Sequence, residues 1–275
     1  MTNISVIIPT YNSSRTLSKC LDSVKHQSVP PQEILVVDRF SVDGTPRIGK
    51  VNGVSIIQAD VNRSVARNIG LHRASSEGVL FIDADMILPL DLLQECESAL
   101  EERDAVLIPE VSVGFGYWAR CKSLERQLFL NSNLIEAARC FRKDRILSLG
   151  GFDPELEAGE DWYLQHRAVR AGLSFARTES KIIHDEGNLR LGTLLKKKYL
   201  YGKTMRGYLR KNPTAGLKQI NPFFRILYPS IKVVSKNPSY GIGIPVMKTL
   251  EFLAAGLGLA STGIHIRNPS VKRQL

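Results

Sequence analysis

Apolar runs alternate along the first two thirds of the chain with stretches whose apolar positions recur every three or four residues. This is the pattern of a wound α/β sheet. "ISVIIPTYN" (4–12) predicts a strand ending in turn residues. The next stretch, 13–27, places Leu17, Cys20, Leu21 and Val24 on one face of a helix capped near Asn12–Ser14. "EILVVD" (33–38) and "VSIIQAD" (54–60) predict two more strands, and "SVARNIGLHRAS" (64–75) a helix. "VLFI" opens a fourth strand buried on both faces, 88–102 is helical, and "DAVLIPE" (104–110) is strand again. Four of these strands end in a polar or acidic residue: Asn12, Asp38, Asp60 and Asp83. Open sheets bind ligands beyond the carboxyl ends of their strands, so these residues gather on one rim.

Asp83 and Asp85 stand one residue apart at the end of that buried strand. Two such carboxylates can ligate a hard cation or bind a sugar hydroxyl, or they can simply cap the next helix. A second acidic group, Glu160 and Asp161, falls at the start of a predicted helix. It follows Gly150–Gly151 and Asp153–Pro154, which read as tight turns. "FGYWARCKSLERQLFL" (115–130) carries Trp118, Cys121, Leu124, Leu128 and Phe129 at helical spacing, a core stripe in which Tyr117 or Trp118 could also border a sugar.

Composition narrows the class. The chain of 275 residues is 43% hydrophobic and 23% charged, with no basic, apolar leader at Met1 and no run of 18 uninterrupted apolar residues, so a cytoplasmic location is expected. Cys20, Cys96, Cys121 and Cys140 lack metal or disulfide spacing and read as packing residues.

Charge divides the chain. The net charge is +10, yet residues 1–186 hold 21 basic and 26 acidic residues, whereas Gly187–Leu250 hold 13 Lys or Arg and no Asp or Glu. Two regions are expected, 1–186 and a basic 187–275. In "LRLGTLLKKKYLYGKTMRGYLRKNP" (189–213) the cationic and apolar side chains can occupy different faces of a helix, as in membrane-surface segments. The apolar stretches 221–234 and 244–260 are interrupted by Arg225, Lys232, Lys248 and Glu251. A charge at the bilayer centre costs about 2.5–3.5 kcal/mol, so lying in the interface fits better than spanning. A soluble helical subdomain over an acceptor cleft is the alternative. Nucleic acid is not expected as a partner, and a nucleic-acid-binding protein using the basic tail is the lesser alternative: no zinc-finger spacing or RNP-like aromatic motif is present, and the acidic rim would repel phosphate unless a metal intervened.

Six motifs in order, "SVIIPTYN", "VVDRFSVDGT", "ARNIG", "FIDADM", "GGFDPEL" and "GEDWYLQHR", resemble the family 2 glycosyltransferases of the GT-A fold over about residues 3–186. The resemblance implies a Rossmann-like, mostly parallel mixed sheet flanked by helices, here with a basic helical extension. It also implies a nucleoside-diphosphate sugar donor, Mn²⁺ or Mg²⁺, and inversion at the anomeric carbon. Carried over by motif, it puts Pro9, Tyr11 and Asp38 at the nucleoside, Arg67 near the nucleotide, Asp83 at the ribose and donor sugar, and Asp85 on the metal. Asp161 becomes the general base, Glu160 stays open between cap and catalysis, and His184 between structural residue and metal ligand. The chain departs from the family at Arg39 and Phe40, where Asp–Gly is common, and Arg39 is expected in solvent or paired with an acid. With the basic tail, the resemblance points to a lipid-linked acceptor at a membrane surface; a soluble small-molecule or polysaccharide acceptor is the alternative.

Overall fold

The computed structural model describes residues 3–261 apart from 133–134, 220, 222, 228–230, 232 and 234–236, so much of the stretch 221–234 lies outside the described residues. In chain order the elements run β1 (Ile4–Thr10), α1 (Leu17–Lys25), β2 (Glu33–Asp38), α2 (Thr45–Val51), β3 (Ser55–Gln58), α3 (Arg63–Arg73), β4 (Gly78–Phe81) and β5 (Met86–Ile87). There follow α4 (Leu92–Glu102), β6 (Ala105–Leu107), β7 (Glu110–Phe115), α5 (Tyr117–Gln127), β8 (Ala138–Arg142), α6 (Lys143–Ser148), α7 (Glu160–Arg170), β9 (Phe175–Arg177) and β10 (Ile182–Asn188). The basic region supplies α8 (Leu191–Lys211), α9 (Pro213–Gln219), a π-helical turn at Phe223–Leu227, and α10 (Pro238–Ser261).

The main sheet has the order β3-β2-β1-β4-β8-β6-β9. β1 pairs parallel with β2 and β4, β2 with β3, and β6 with β9, while β8 runs antiparallel between β4 and β6. Val79, Leu80, Phe81 and Ile82 are at most 1% exposed, as their unbroken apolar run predicts for a central strand. Alternate residues feed two cores. Ile4, Val6 and Ile8 pack with α1 and α4, and Ile7, Val79 and Phe81 with α3 and α7. The parallel strands all point their carboxyl ends at the same rim.

A second sheet, β5-β10-β7, lies beside that rim. β5 is two residues long and pairs antiparallel with β10, Met86 opposite His184. A third apolar cluster, Cys121, Leu194, Ile244 and Met247, joins α5 to α8 and α10. All four cysteines are buried and free, as their spacing predicts.

The start of α1 differs from its sequence expectation. Asn12 sits in the left-handed region (φ 47°), and its side chain accepts from the Val42 amide instead of capping α1. The Ser13 carbonyl takes the Thr16 and Leu17 amides at the helix start. Tyr117 and Trp118 belong to packing. The Tyr117 hydroxyl donates to the Ser239 carbonyl at 2.6 Å and its ring stacks on Tyr240 and meets Trp118 edge-on, which fastens α10 to α5.

Candidate active site

The loop after β4 and the first turn of α7 carry the acids, and α3 between them carries the cation that joins them. Asn62 caps α3 by accepting from the Val65 amide. Arg63 and Arg67, one helical turn apart, then share a face. Arg67 is fully buried and donates to Asp83 Oδ1 at 2.9 Å, to Asp161 Oδ1 at 2.5 Å and to Glu160 Oε1 at 3.3 Å. Arg63 adds a 2.6 Å ion pair to Glu160.

Gly150, Gly151 and Gly159 build the approach to α7 with positive φ. A Cβ at Gly151 would strike the Asn68 side chain, whose amide donates to the Phe152 carbonyl at 2.7 Å and accepts from its N–H at 2.8 Å. This clamp ties the loop leading to Asp161 onto the helix bearing Arg67.

These environments separate the carboxyls. Burial raises the Glu160 carboxyl, and its two arginines do not fully reverse that. Burial also acts on Asp83, but Arg67, Arg63 and Arg139 outweigh it and hold the carboxyl far below its ordinary value. Asp83 and Asp161 remain partly exposed, at 20% and 29% of their side chains, and face one cavity.

A second charged group forms where β5 meets β10. His184 Nε2 lies 3.0 Å from Asp85 Oδ2, and its Nδ1 is 3.3 Å from Arg126 and 3.8 Å from Glu110. Burial would lower the His184 imidazole, yet its bonds to Asp85 and Glu110 lift it to about 9. Asp85 Oδ1 is buried without a hydrogen-bond partner. No group of three or more His, Cys, Asp or Glu stands ready for a metal among the described residues. The free lone pairs of Asp85 beside an imidazole nonetheless fit a hard or borderline dication that takes its remaining ligands from phosphate and water.

Two cavities open on this rim. One of about 220 Å³ is lined by Pro9, Tyr11, Arg39 and Ala66; the other, about 490 Å³, by Asp83, Glu110, Asp161 and His184. Arg63 and Tyr201 line both. From α8 and α10 the larger cavity takes the apolar Met205, Leu209, Phe252, Ala255 and Leu259 together with the charged Lys197, Lys198, Lys248 and Glu251.

The structure thus brings Asp83, Asp161 and Glu160 together through Arg67, and Asp85 to His184. Pro9 and Tyr11 stand at the smaller cavity. Asp38 lines neither cavity: it is fully buried and accepts from Thr10, from the Ser41 amide and hydroxyl, and from Gln58. Arg67 also lines neither, and the guanidinium facing both is Arg63. Its place one turn before Arg67, just after a strong N-cap, was the available sequence signal. Glu110, ending a predicted strand, was similarly readable. Tyr201 had no signal, because its role depends on how α8 packs against the main domain. Arg39 pairs with Asp60 at 3.3 Å and covers the Tyr11 ring at 5.7 Å, and Phe40 holds a left-handed backbone (φ 46°) where the family commonly has glycine.

Comparison with known proteins agrees with the architecture. The family described as Glycosyl transferase family 2 matches residues 5–152. "Glycosyltransferase AglE" of Haloferax volcanii is 30% identical over 220 residues, covering 73% of this chain and 72% of that protein. "Poly(ribitol-phosphate) beta-N-acetylglucosaminyltransferase TarS" of Staphylococcus aureus is 33% identical over 120 residues, 39% of this chain and only 21% of that protein. The mannosyltransferase PcManGT of Pyrobaculum calidifontis, solved with GDP-Man and Mn²⁺, superposes with a TM-score of 0.64 at 17% identity, covering 94% of this chain and 87% of that one. The sheet order, the acidic rim and these matches define a GT-A glycosyltransferase. The chain belongs to glycosyl transferase family 2.

Proposed function

We propose that the enzyme moves a sugar, with inversion, from a nucleoside-diphosphate sugar to a lipid-linked acceptor, a polyprenyl phosphate or a saccharide carried on one. The observation that carries this reading is the pair of cavities sharing Arg63 and Tyr201. The smaller suits a nucleoside, with Tyr11 as a stacking face. The larger joins Asp83 and Asp161 to apolar side chains of α8 and α10, Met205, Leu209, Phe252 and Leu259, a site for an acceptor with a polar head and a hydrocarbon tail.

In the transfer, an acceptor oxygen forms a bond to the anomeric carbon from the face opposite the diphosphate, which departs with the bonding electron pair. Asp161 takes the proton when the nucleophile is a hydroxyl; a phosphate nucleophile is already ionised and needs no base. Arg67 holds Asp161 and Asp83 in place, and Arg63 lies between the two cavities, where the diphosphate would cross. Asp85 and His184 would hold Mn²⁺ or Mg²⁺, which when bound neutralises charge on the leaving diphosphate. PcManGT, a similar fold solved with GDP-Man and Mn²⁺, supports a nucleotide-sugar donor and a metal. Residues 187–275 then act as an acceptor-binding region that keeps the enzyme at the cytoplasmic face of a membrane.

The test is calorimetry of UDP, GDP, dTDP and CDP with Mn²⁺ or Mg²⁺ and then with chelator, followed by turnover with polyprenyl phosphate and with water-soluble acceptors. Metal-dependent binding of one nucleotide and turnover on the lipid acceptor are expected. Binding of none overturns the donor assignment, and turnover confined to soluble acceptors overturns the lipid assignment.

A further inference from the structure

We propose that α8 and α10 form an amphipathic two-helix slab whose outer face docks on an anionic membrane, a surface that builds on the lipid-acceptor reading above. The helices touch backbone to backbone. A Cβ on Gly202 would collide with the Ala255 carbonyl, and one on Gly258 with the Tyr199 carbonyl. Advancing from 199 to 202 along α8 retreats from 258 to 255 along α10, so the pair is antiparallel.

The two faces of this slab differ. Inward, Leu194 and Tyr208 of α8 and Ile244, Met247, Lys248 and Glu251 of α10 are buried. Outward, α10 exposes Ile242, Val246, Leu253 and Leu257 at 65%, 45%, 59% and 67%. Their spacings of four, seven and four residues make one stripe along the helix. Parallel to it, α8 exposes Lys196, Leu200, Lys203, Arg206 and Arg210, again at three- and four-residue spacing. α10 thus carries an exposed apolar stripe and α8 an exposed stripe that is mostly cationic.

Charge decides the occupant. Between Gly187 and Leu250 there is no acid to interrupt the cationic ridge, so the face complements anionic headgroups while its apolar ridge enters the acyl boundary. A second copy of the chain on the same face would set cation ridge against cation ridge. α10, 24 residues long, is long and apolar enough to cross a bilayer by length and composition, with a mean hydropathy of 1.4 over 18 of its residues. Its inner face argues against crossing. Lys248 pairs with Glu251 at 3.0 Å and with Glu125 at 3.2 Å, and Lys198 lies 3.5 Å from Glu251. Insertion would strip those charges from their partners, whereas lying in the plane keeps them. The same geometry gives a lipid acceptor its route: Phe252, Ala255 and Leu259 on the other side of α10 wall the larger cavity.

The experiment is co-sedimentation of the full chain with phosphatidylcholine vesicles, with and without phosphatidylglycerol. Binding is expected to the anionic vesicles and to weaken with salt. The triple variant Ile242→Ser, Leu253→Ser, Leu257→Ser is expected to lose at least about tenfold in vesicle affinity with nucleotide binding unchanged. The quadruple variant Lys196→Gln, Lys203→Gln, Arg206→Gln, Arg210→Gln is expected to lose the preference for anionic lipid. Vesicle binding by both variants equal to that of the parent overturns the proposal. So does failure of the parent to bind, or a dimer in size exclusion that Leu257→Ser dissociates. Vesicle binding with turnover only on soluble acceptors retains the docking face and removes the lipid-acceptor reading. Turnover on a detergent-solubilised lipid acceptor without vesicle binding does the reverse.

Discussion

Asp83 and Asp161 meet on one guanidinium, Arg67 donating to the first at 2.9 Å and to the second at 2.5 Å. The bridge sets the distance between the acid at the end of β4 and the acid at the start of α7, and it leaves the unbonded edges of both facing the larger cavity. Positioning of this kind matters because small displacements of a reacting group cost large factors in rate.

Asp161→Asn is expected to keep the fold, since an amide oxygen still accepts from Arg67, and to lower kcat roughly 10²–10⁴-fold toward a hydroxyl acceptor. Toward an ionised phosphate acceptor the same variant stays within severalfold of the parent. Paired assays with the two acceptors therefore report whether Asp161 acts as a base. Arg67→Ala is expected to destabilise by about 3–5 kcal/mol, because Glu160 and Asp83 lose their shared cation; denaturant titration measures it.

Asp85→Ala and His184→Ala are each expected to abolish the metal-dependent part of nucleotide binding while leaving binding in chelator unchanged. The sign of the pH dependence follows from His184. Its imidazole is held protonated up to about 9, and ligation through Nε2 displaces that proton. Metal affinity is expected to rise as pH increases toward 9. Calorimetry across that range checks it, and a flat profile removes His184 from the ligand set.

Phe40 is about half exposed and holds φ at 46°. A non-glycine residue there carries a left-handed penalty of about 1–2 kcal/mol. Phe40→Gly is expected to raise stability by about 1 kcal/mol, less the added freedom of glycine in the unfolded chain. A thermal melt reads the sign, and a lower melting temperature means that the Phe40 side chain makes a contact worth more than its strain.

Acid stability depends on the interface beneath α10. Burial raises the Glu251 carboxyl, but Lys198 and Lys248 overcome this and hold it at about 2, against 4.5 for a free glutamate. The contribution is present above about pH 4.5 and is lost as pH falls toward 2. It amounts to at most about 3 kcal/mol. Glu251→Gln is expected to be less stable near neutrality and to lose less stability on acidification. Denaturation midpoints taken down the acid limb make the comparison.

The central strands were legible in the sequence because β1, β2 and β4 are buried on both faces and therefore continuous in apolar residues. β8 was not, since "ARCFR" interleaves arginines with its core positions, and Arg139 is spent on Glu110. β5 is too short for any periodicity, yet it brings Asp85 to His184. Asp38 shows the limit of reading a strand end. Its position on the rim follows from sequence, but its burial under Thr10, Ser41 and Gln58 follows from the loop between β2 and α2. The basic tail was legible as amphipathic from its spacing. Tyr201, which lines both cavities, was invisible, because only the packing of α8 against the main domain places it there.

Asp85 and His184 are separated by 99 residues and joined through a strand of only two. A chain growing on the ribosome carries the carboxylate long before the imidazole exists, and the short β5 finds its partner only when β10 has been made. The Asp85–His184 pair is therefore assembled late, after β1 to β4 of the main sheet have all been made. A half-synthesised chain is in this way left with Asp85 and without the imidazole that pairs with it.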